Sequence, residues 1–304
     1  MAKKRRKRKS KKNSSIAPKI ILLFVLAIIA IFLIDNYTDY KISRHLPQPV
    51  QEQLDRFREA IPSSSSPSPS HQTATYENLT IPARLYDREE QIIHHTGYSV
   101  SYNETWRIPN WTSYEMTRAK SNGTFPRAKH FKVDPQVLGI SAKNEDYANS
   151  GYDRGHMVPA GDMKWDKKAM EESFYYSNMC PQNRNLNAGD WKELEDKVRN
   201  WAIRDSAIIV ITGPIVKSNK PKRIGVNGVV VPDAFYKVIL SPYTSSPQAI
   251  GFIMQNEKCN NPLRTYAVTV DSIESVTGID FFPSLPDEIE NKVESVFSLA
   301  KWGL

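Results

Sequence analysis

The sequence predicts an α+β fold, with a mixed, mostly antiparallel sheet, helices packed on it and one N-terminal transmembrane helix in front. Three observations predict it. Apolar or alternating segments of strand length recur between residues 97 and 270, separated mostly by hairpin-length gaps. Few segments repeat with a helical period, so a parallel βαβ sheet is disfavoured. Ahead of them Ile20–Ile34 is an unbroken apolar run.

That run is the first element. Counted from Ile16 it has 19 residues, which as a helix would span roughly 28 Å, close to a ~30 Å hydrocarbon core. No small-residue cleavage site follows in Asp35–Tyr40, so an uncleaved anchor over residues 16–35 is expected in place of a signal peptide. Residues 1–15 are basic and are expected in the cytoplasm, with the rest of the chain on the far side, periplasmic or extracellular. Residues 36–75 read as a spacer, with Pro62–Ser70 a Ser/Pro linker that cannot bury a core. Residues 76–304 read as the globular domain.

Within it, Gly97–Tyr102 alternates as a strand and Trp111–Thr117 as a second, followed by a Gly/Pro-containing loop over residues 122–126. Asp166–Ser173 reads as a helix. Asp190 with Glu193 suggests a capping box for a helix running to about Arg204. Ala207–Thr212, Val226–Val231, Ala234–Leu240, Ile250–Met254 and Tyr266–Val270 read as strands. Ile273–Thr277, ended by Gly278, and Pro286–Ser298 read as helices.

The chain carries a net charge of +8, but the charge is a property of one tail. Ten Lys and Arg lie within residues 1–19, and taking them from the total of 41 leaves 31 against 33 Asp and Glu. The basic balance is therefore no evidence that the folded part binds nucleic acid. Cys180 and Cys259 are too few and too far apart for a disulfide framework, and no CxxC pair suggests zinc. Whether they are bridged stays open.

The chemistry concentrates in Asp153-Arg154-Gly155-His156 and in Ser177-Asn178, Pro181-Gln182, Asn187 and Glu195 downstream. Imidazole titrates near neutrality, so His156 is the natural general base. Arg154 is always charged and suits a phosphate. Gly155 would let the backbone turn closely between them. Asn187 offers an oxygen of the kind Mg²⁺ prefers, although alone it reads as an ordinary loop residue. On a helical wheel Trp191, Leu194, Val198, Trp201 and Ala202 share one face, and Glu195 lies at its edge. An inward carboxylate needs a partner, either in a salt bridge or near a metal. Asn178 and Gln182 fit structural support or phosphate contact. Asp153 could fix Arg154 or the loop backbone.

Together with Tyr176-Ser177-Asn178, Pro181-Gln182, Leu186-Asn187, Trp191, Leu194-Glu195 and Thr212-Gly213-Pro214, the Asp-Arg-Gly-His motif resembles the DNA/RNA non-specific endonuclease family, a branch of the His-Me finger (ββα-metal) nucleases. The resemblance covers roughly Ile92 to Pro283. It implies a ββα-metal core and hydrolysis of DNA and RNA. It also implies a hydrated Mg²⁺ held through Asn187, with Mn²⁺ able to substitute, and no organic cofactor. His156, Arg154 and Glu195 would be catalytic. An upstream arginine implied by the family is Arg127, with Lys129 the alternative phosphate contact. The family includes dimers, so a homodimer is an expectation of resemblance alone. Two rivals remain: a DNA-import nuclease coupled to a membrane complex, and an inactive, membrane-tethered nucleic-acid binder. The intact His156, Asn187 and Glu195 argue against the second.

Overall fold

The computed structural model describes residues 78–304. The basic segment, the apolar run and the Ser/Pro linker lie outside the described residues. Within them no helix is long and apolar enough to cross a membrane.

Eleven strands are present among the described residues. Seven build the central sheet: β1 (Gln91–His94), β2 (Ser99–Asn103), β3 (Ile108–Thr117), β6 (Ala207–Ile215), β9 (Ala234–Ser241), β10 (Gln248–Gln255) and β11 (Ala267–Val268), in the order β1-β2-β3-β6-β9-β10-β11. Two small hairpins stand apart, β4 (Asp153–His156) with β5 (Met179–Gln182) and β7 (Arg223–Ile224) with β8 (Val229–Val230). Every ladder is antiparallel. The expected mixed character reduces to one isolated parallel bridge between Lys132 and Tyr175. The helices are α1 (Asn144–Tyr147), α2 (Lys167–Glu172), α3 (Arg184–Ala188), α4 (Asp190–Asp205), α5 (Val270–Thr277), α6 (Asp287–Ser295) and α7 (Leu299–Trp302).

The strand period of two divides the sheet into two cores. Ile208 and Val210 of β6 point to one face, with Phe235 and Ile239 of β9. Ile209 and Ile211 point to the other, with Tyr236, Val238 and Leu240. Both faces are covered, so these strands are apolar throughout instead of alternating. The first face receives α4 through Trp191, Leu194, Val198, Trp201 and Ala202, the residues that the helical wheel grouped. The second receives the α5–α6 end of the chain through Val270, Ile273, Phe281, Phe282 and Val293.

Four expectations need correction. The capping box does not form, because Gly189 is the N-cap and Asp190 turns its carboxylate to the Tyr266 hydroxyl at 2.6 Å and the Asn261 N–H at 3.1 Å. Val226–Val231 is mostly a turn: Gly225 and Gly228 both take φ +66°, and Val226 is 99% exposed. The strand expected to reach Val270 stops at Val268, since the Thr269 side chain accepts the Ser272 N–H and starts α5 early. The last helix breaks after Ser295. Gly278 ends α5 as expected, at φ +70° with its N–H donating to the Glu274 carbonyl. Cys180 and Cys259 are both free thiols, Cys180 buried.

Candidate active site

The site is assembled by the β4–β5 hairpin and the helices that follow it. β4 pairs Asp153 with Gln182, Arg154 with Pro181, Gly155 with Cys180 and His156 with Met179. Strand alternation then puts Arg154 and His156 on the same side. Gly155 is needed for a reason other than a turn. It lies within the strand, and an added Cβ would collide with Gln182 Oε1 and sit 2.6 Å from Gln182 Cβ. The chain leaves β5, makes α3 carrying Asn187, and enters α4 carrying Lys192, Glu195 and Arg199.

His156 is 9% exposed, and its Nε2 has no hydrogen-bond partner. Phe174 meets its ring edge-on at 4.9 Å between centroids, and Phe131 lies at 5.6 Å. Burial, and then the nearby Arg127 cation, hold the imidazole down to about 3 against a hydrogen bond to the main chain at Arg154. The ring is therefore neutral at pH 7 and able to accept a proton. Arg154 is held between Phe131 and Tyr147, its guanidinium carbon 5.2 and 5.6 Å from the ring centroids, and its Nη2 donates to Asn144 Oδ1 at 2.7 Å. Arg127 is exposed, 5.0 Å from the Phe174 ring centroid.

The Asn187 amide nitrogen donates to Asp153 Oδ2 at 3.0 Å. A carboxylate can only accept, so this bond fixes which way the amide faces and leaves Asn187 Oδ1 as the free acceptor. That is the donor type a hard divalent cation takes, and Asn187 lines the same cleft as His156. The residues present thus fit the expected metal. Asp153 orients Asn187, whereas the sequence reading had Asp153 fixing Arg154 or the loop backbone.

Glu195 is half-buried and makes no hydrogen bond to a described side chain. Arg199, the arginine within its reach, instead pairs with Asp162 at 2.6 Å and with Asp196, and Tyr114 also donates to Asp162, at 2.5 Å. Burial pushes Glu195 up and Lys237 of β9 down, and each pulls the other back. Lys237 is fully buried, its Nζ 2.8 Å from Thr212 Oγ1 and 4.7 Å from the Trp191 ring centroid.

These groups converge on a cleft of about 520 Å³ that is lined by Arg127, Phe131, Arg154, His156, Lys164, Asn187, Lys192, Glu195 and Arg199, among others. Of the charged side chains in it, Arg127, Arg154, Lys164, Lys192 and Arg199 are cationic and Glu195 alone is anionic. A second cavity of about 320 Å³ shares Arg127 and continues the basic lining with Lys129, Lys132 and Lys167. Asn178 and Gln182 do not line the cleft. Asn178 is fully buried, accepting the Val158 N–H at 2.8 Å and donating to the carbonyls of Val158 and Ser173 at 3.0 and 2.8 Å. Gln182 is fully buried beneath Gly155. Phe131, Lys164, Lys192 and Arg199 were not singled out from the sequence. For Lys192 and Arg199 the available signal was their place three residues before and four after Glu195 on one helix.

Comparisons with known proteins agree with this arrangement. The model of the DNA/RNA non-specific endonuclease family matches residues 77–288. The mitochondrial nuclease EXOG of Mus musculus is 36% identical over 209 residues, which is 63% of this chain and 56% of that protein. The chain thus spans somewhat over half the length of that relative. Human mitochondrial endonuclease G is 31% identical over 203 residues, covering 62% of this chain and 68% of its own. A nuclease of Nostoc sp. is 27% identical over 259 residues, 81% of this chain and 91% of that one. A crystal structure of an EndoG/EndoGI complex contains a chain that superimposes with a TM-score of 0.61 at 32% identity, over 65% of this chain and 87% of its own. Motif, fold and matched span coincide, and the chain belongs to the DNA/RNA non-specific endonuclease family.

Proposed function

We propose that this chain is a metal-dependent endonuclease that hydrolyses phosphodiester bonds in DNA and RNA with little sequence specificity. The observation that carries the reading is the buried, neutral His156, with an unpartnered Nε2, at a cleft whose other charges are almost all cationic. The β4–β5 hairpin followed by α3 is the ββα unit that such a site would use. His156 Nε2 takes a proton from the water that attacks phosphorus. The P–O3′ bond breaks, and the leaving oxygen acquires a proton to give 5′-phosphate and 3′-hydroxyl ends. Arg154, made rigid by Phe131, Tyr147 and Asn144, meets the non-bridging oxygens, and Arg127 approaches from the loop that precedes Phe131 and lines the same cleft. Glu195 accepts hydrogen bonds from water and helps to orient it. Asn187 would hold Mg²⁺, or Mn²⁺ in its place, which when bound supplies positive charge for the scissile phosphate. The basic lining through Lys129, Lys132 and Lys167 offers contacts to neighbouring phosphates and reads no bases, in keeping with low specificity.

The apolar run over residues 16–35 would tether residues 76–304 outside the cytoplasm. The test of function is incubation of the purified protein with plasmid DNA and with RNA, in Mg²⁺ and in EDTA, beside His156→Ala. Metal-dependent cleavage that falls by about 10²–10⁴-fold in the variant is expected. Absence of cleavage by folded protein in Mg²⁺, and in Mn²⁺ tried in its place, would leave a binding protein, which a gel shift on the same samples would detect.

A further inference from the structure

On the sheet face opposite the cleft, α5 and α6 bring together carboxylates that make no ion pair among the described residues. Asp271 and Glu274 come from α5 and Glu294 from α6, and one oxygen of each lies within 4.8 Å of the other two. Glu274 is fixed by accepting the Phe281 N–H at 2.9 Å. Glu294 is only 6% exposed, and its Oε1 is buried without a hydrogen-bond partner. The charges acting on Glu294 are all negative, from Glu274, Glu290, Asp280 and Asp271. The basic side chain at this end of α5, Arg88, is engaged by Asp87 and by the Thr277 carbonyl at 2.6 Å.

A buried carboxylate oxygen without a partner is costly, and three converging acidic oxygens repel one another. A cation relieves both. We propose that Asp271, Glu274 and Glu294 form a calcium site that clamps α5 to α6. Oxygen-only donors suit a hard divalent ion and give no nitrogen or sulfur for zinc. The number of carboxylates decides between the two common hard ions. Calcium takes six to eight oxygens in a flexible shell and accepts several carboxylates directly, whereas magnesium keeps most of its waters and takes one or two. Water completes the coordination. The site is remote from Asn187 and takes no part in the cleft chemistry.

The test uses the full chain, stripped with EDTA and freed of chelator, titrated with CaCl₂ or MgCl₂ at pH 8 and followed by calorimetry and thermal unfolding. Calcium at a hundredfold excess over its Kd should raise Tm by roughly 5–10 °C, with a much smaller response to magnesium. Glu294→Gln should abolish the rise while keeping cooperative unfolding. Asp271→Ala, at an exposed position, should weaken calcium binding at least tenfold even if the buried substitution impairs folding. Asn187→Ala should leave the calcium response intact. The proposal is overturned by a wild-type Tm indifferent to calcium, by an equal magnesium response, by an undiminished response in both acidic-site variants, or by a response lost only with Asn187→Ala.

Discussion

On the cleft side of the sheet Glu195 lies in a mixed network, with Lys237 and Arg199 within electrostatic reach beside Asp162 and Asp196. On the far side Glu274 and Glu294 are set among carboxylates. Desolvation raises all three acids; the Lys237 and Arg199 cations oppose it at Glu195, the Phe281 N–H opposes it at Glu274, and at Glu294 the neighbouring described carboxylates add to it. Lys237 is central to that compensation, because β9 directs it into the core face where Phe235 and Ile239 also point. A fully buried lysine is expensive, and it is placed behind a residue of the cleft. The difference teaches that burial of charge is tolerated in two ways in this fold: a paired network supports the cleft, and an unpaired cluster waits for a proton or an ion.

Removing the compensation should make the first side behave like the second. Lys237→Met keeps the volume and the packing on Trp191 but leaves Glu195 without its buried counter-charge. Breaking such an arrangement should cost about 3 kcal/mol at pH 8, at the lower end for a buried pair because Glu195 is half-buried. The sign with pH follows from linkage. A carboxylate raised in the folded state costs nothing below its unfolded pKa, destabilises increasingly as pH climbs from there, and does so in full above its folded pKa. Urea unfolding should therefore show a larger loss at pH 8 than at pH 5. Equal losses at both would mean that Lys237 matters through Thr212 and packing alone.

The cleft side also depends on close geometric partners. Gly155→Ala should destabilise by about 1–3 kcal/mol, since its Cβ would meet the Gln182 side chain, and activity should fall as His156 shifts. Pairing it with Gln182→Ala should restore part of both, giving a coupling energy in a double-mutant cycle; strictly additive losses would exclude Gln182 as the obstacle. Asp153→Ala should have a smaller effect. Without the carboxylate that orients the Asn187 amide, about 10–100-fold more Mg²⁺ should be needed for half-maximal cleavage, with activity recovering at high metal. An unchanged metal dependence would sink the orienting role.

The sheet was legible where sequence and environment agree. Ala207–Thr212, Ala234–Leu240 and Ile250–Met254 are apolar because both faces of the sheet are covered, and α4 showed its stripe because only one of its sides is. The β4–β5 hairpin was not legible, because Asp-Arg-Gly-His carries no apolar alternation and its partner strand lies beyond α2. His156, Arg154, Arg127, Asn187 and Glu195 line one cleft; the first two were legible in the motif and Glu195 on the helical wheel, while Asn187 and Arg127, the latter with Lys129 as its alternative, came through the family resemblance. The positions of Asn178 and Gln182 were not legible. Amides read as surface or ligand groups, and nothing local says that Asn178 spends its hydrogen bonds on Val158 and Ser173. Nor was the bond between Asp153 and Asn187 legible, because the two residues are 34 positions apart.

The far side offers the reverse test, in which deleting a charge is a gain. Burial raises Glu274 to about 7 and Glu294 to about 8, against about 4.3 for an unfolded glutamate. Between those limits the folded protein binds more protons than the unfolded chain, so its stability from these groups falls as pH rises from about 4.5 to 8. Buried His156, held down to about 3, acts in the opposite sense: the unfolded chain binds more protons between 3 and 6.5, so its contribution falls as pH drops through that window. The two trends place the optimum between them, and they separate by mutation. In EDTA, Glu294→Gln should raise Tm at pH 8 by about 2–4 °C, on the order of 1 kcal/mol, and by almost nothing at pH 5, where the wild-type carboxyl already carries its proton. The loss below pH 6 should be unchanged, because it belongs to the other face. A Tm that falls at pH 8 would mean that the Glu294 carboxylate is stabilised by a partner, and the asymmetry between the two faces would be lost with it.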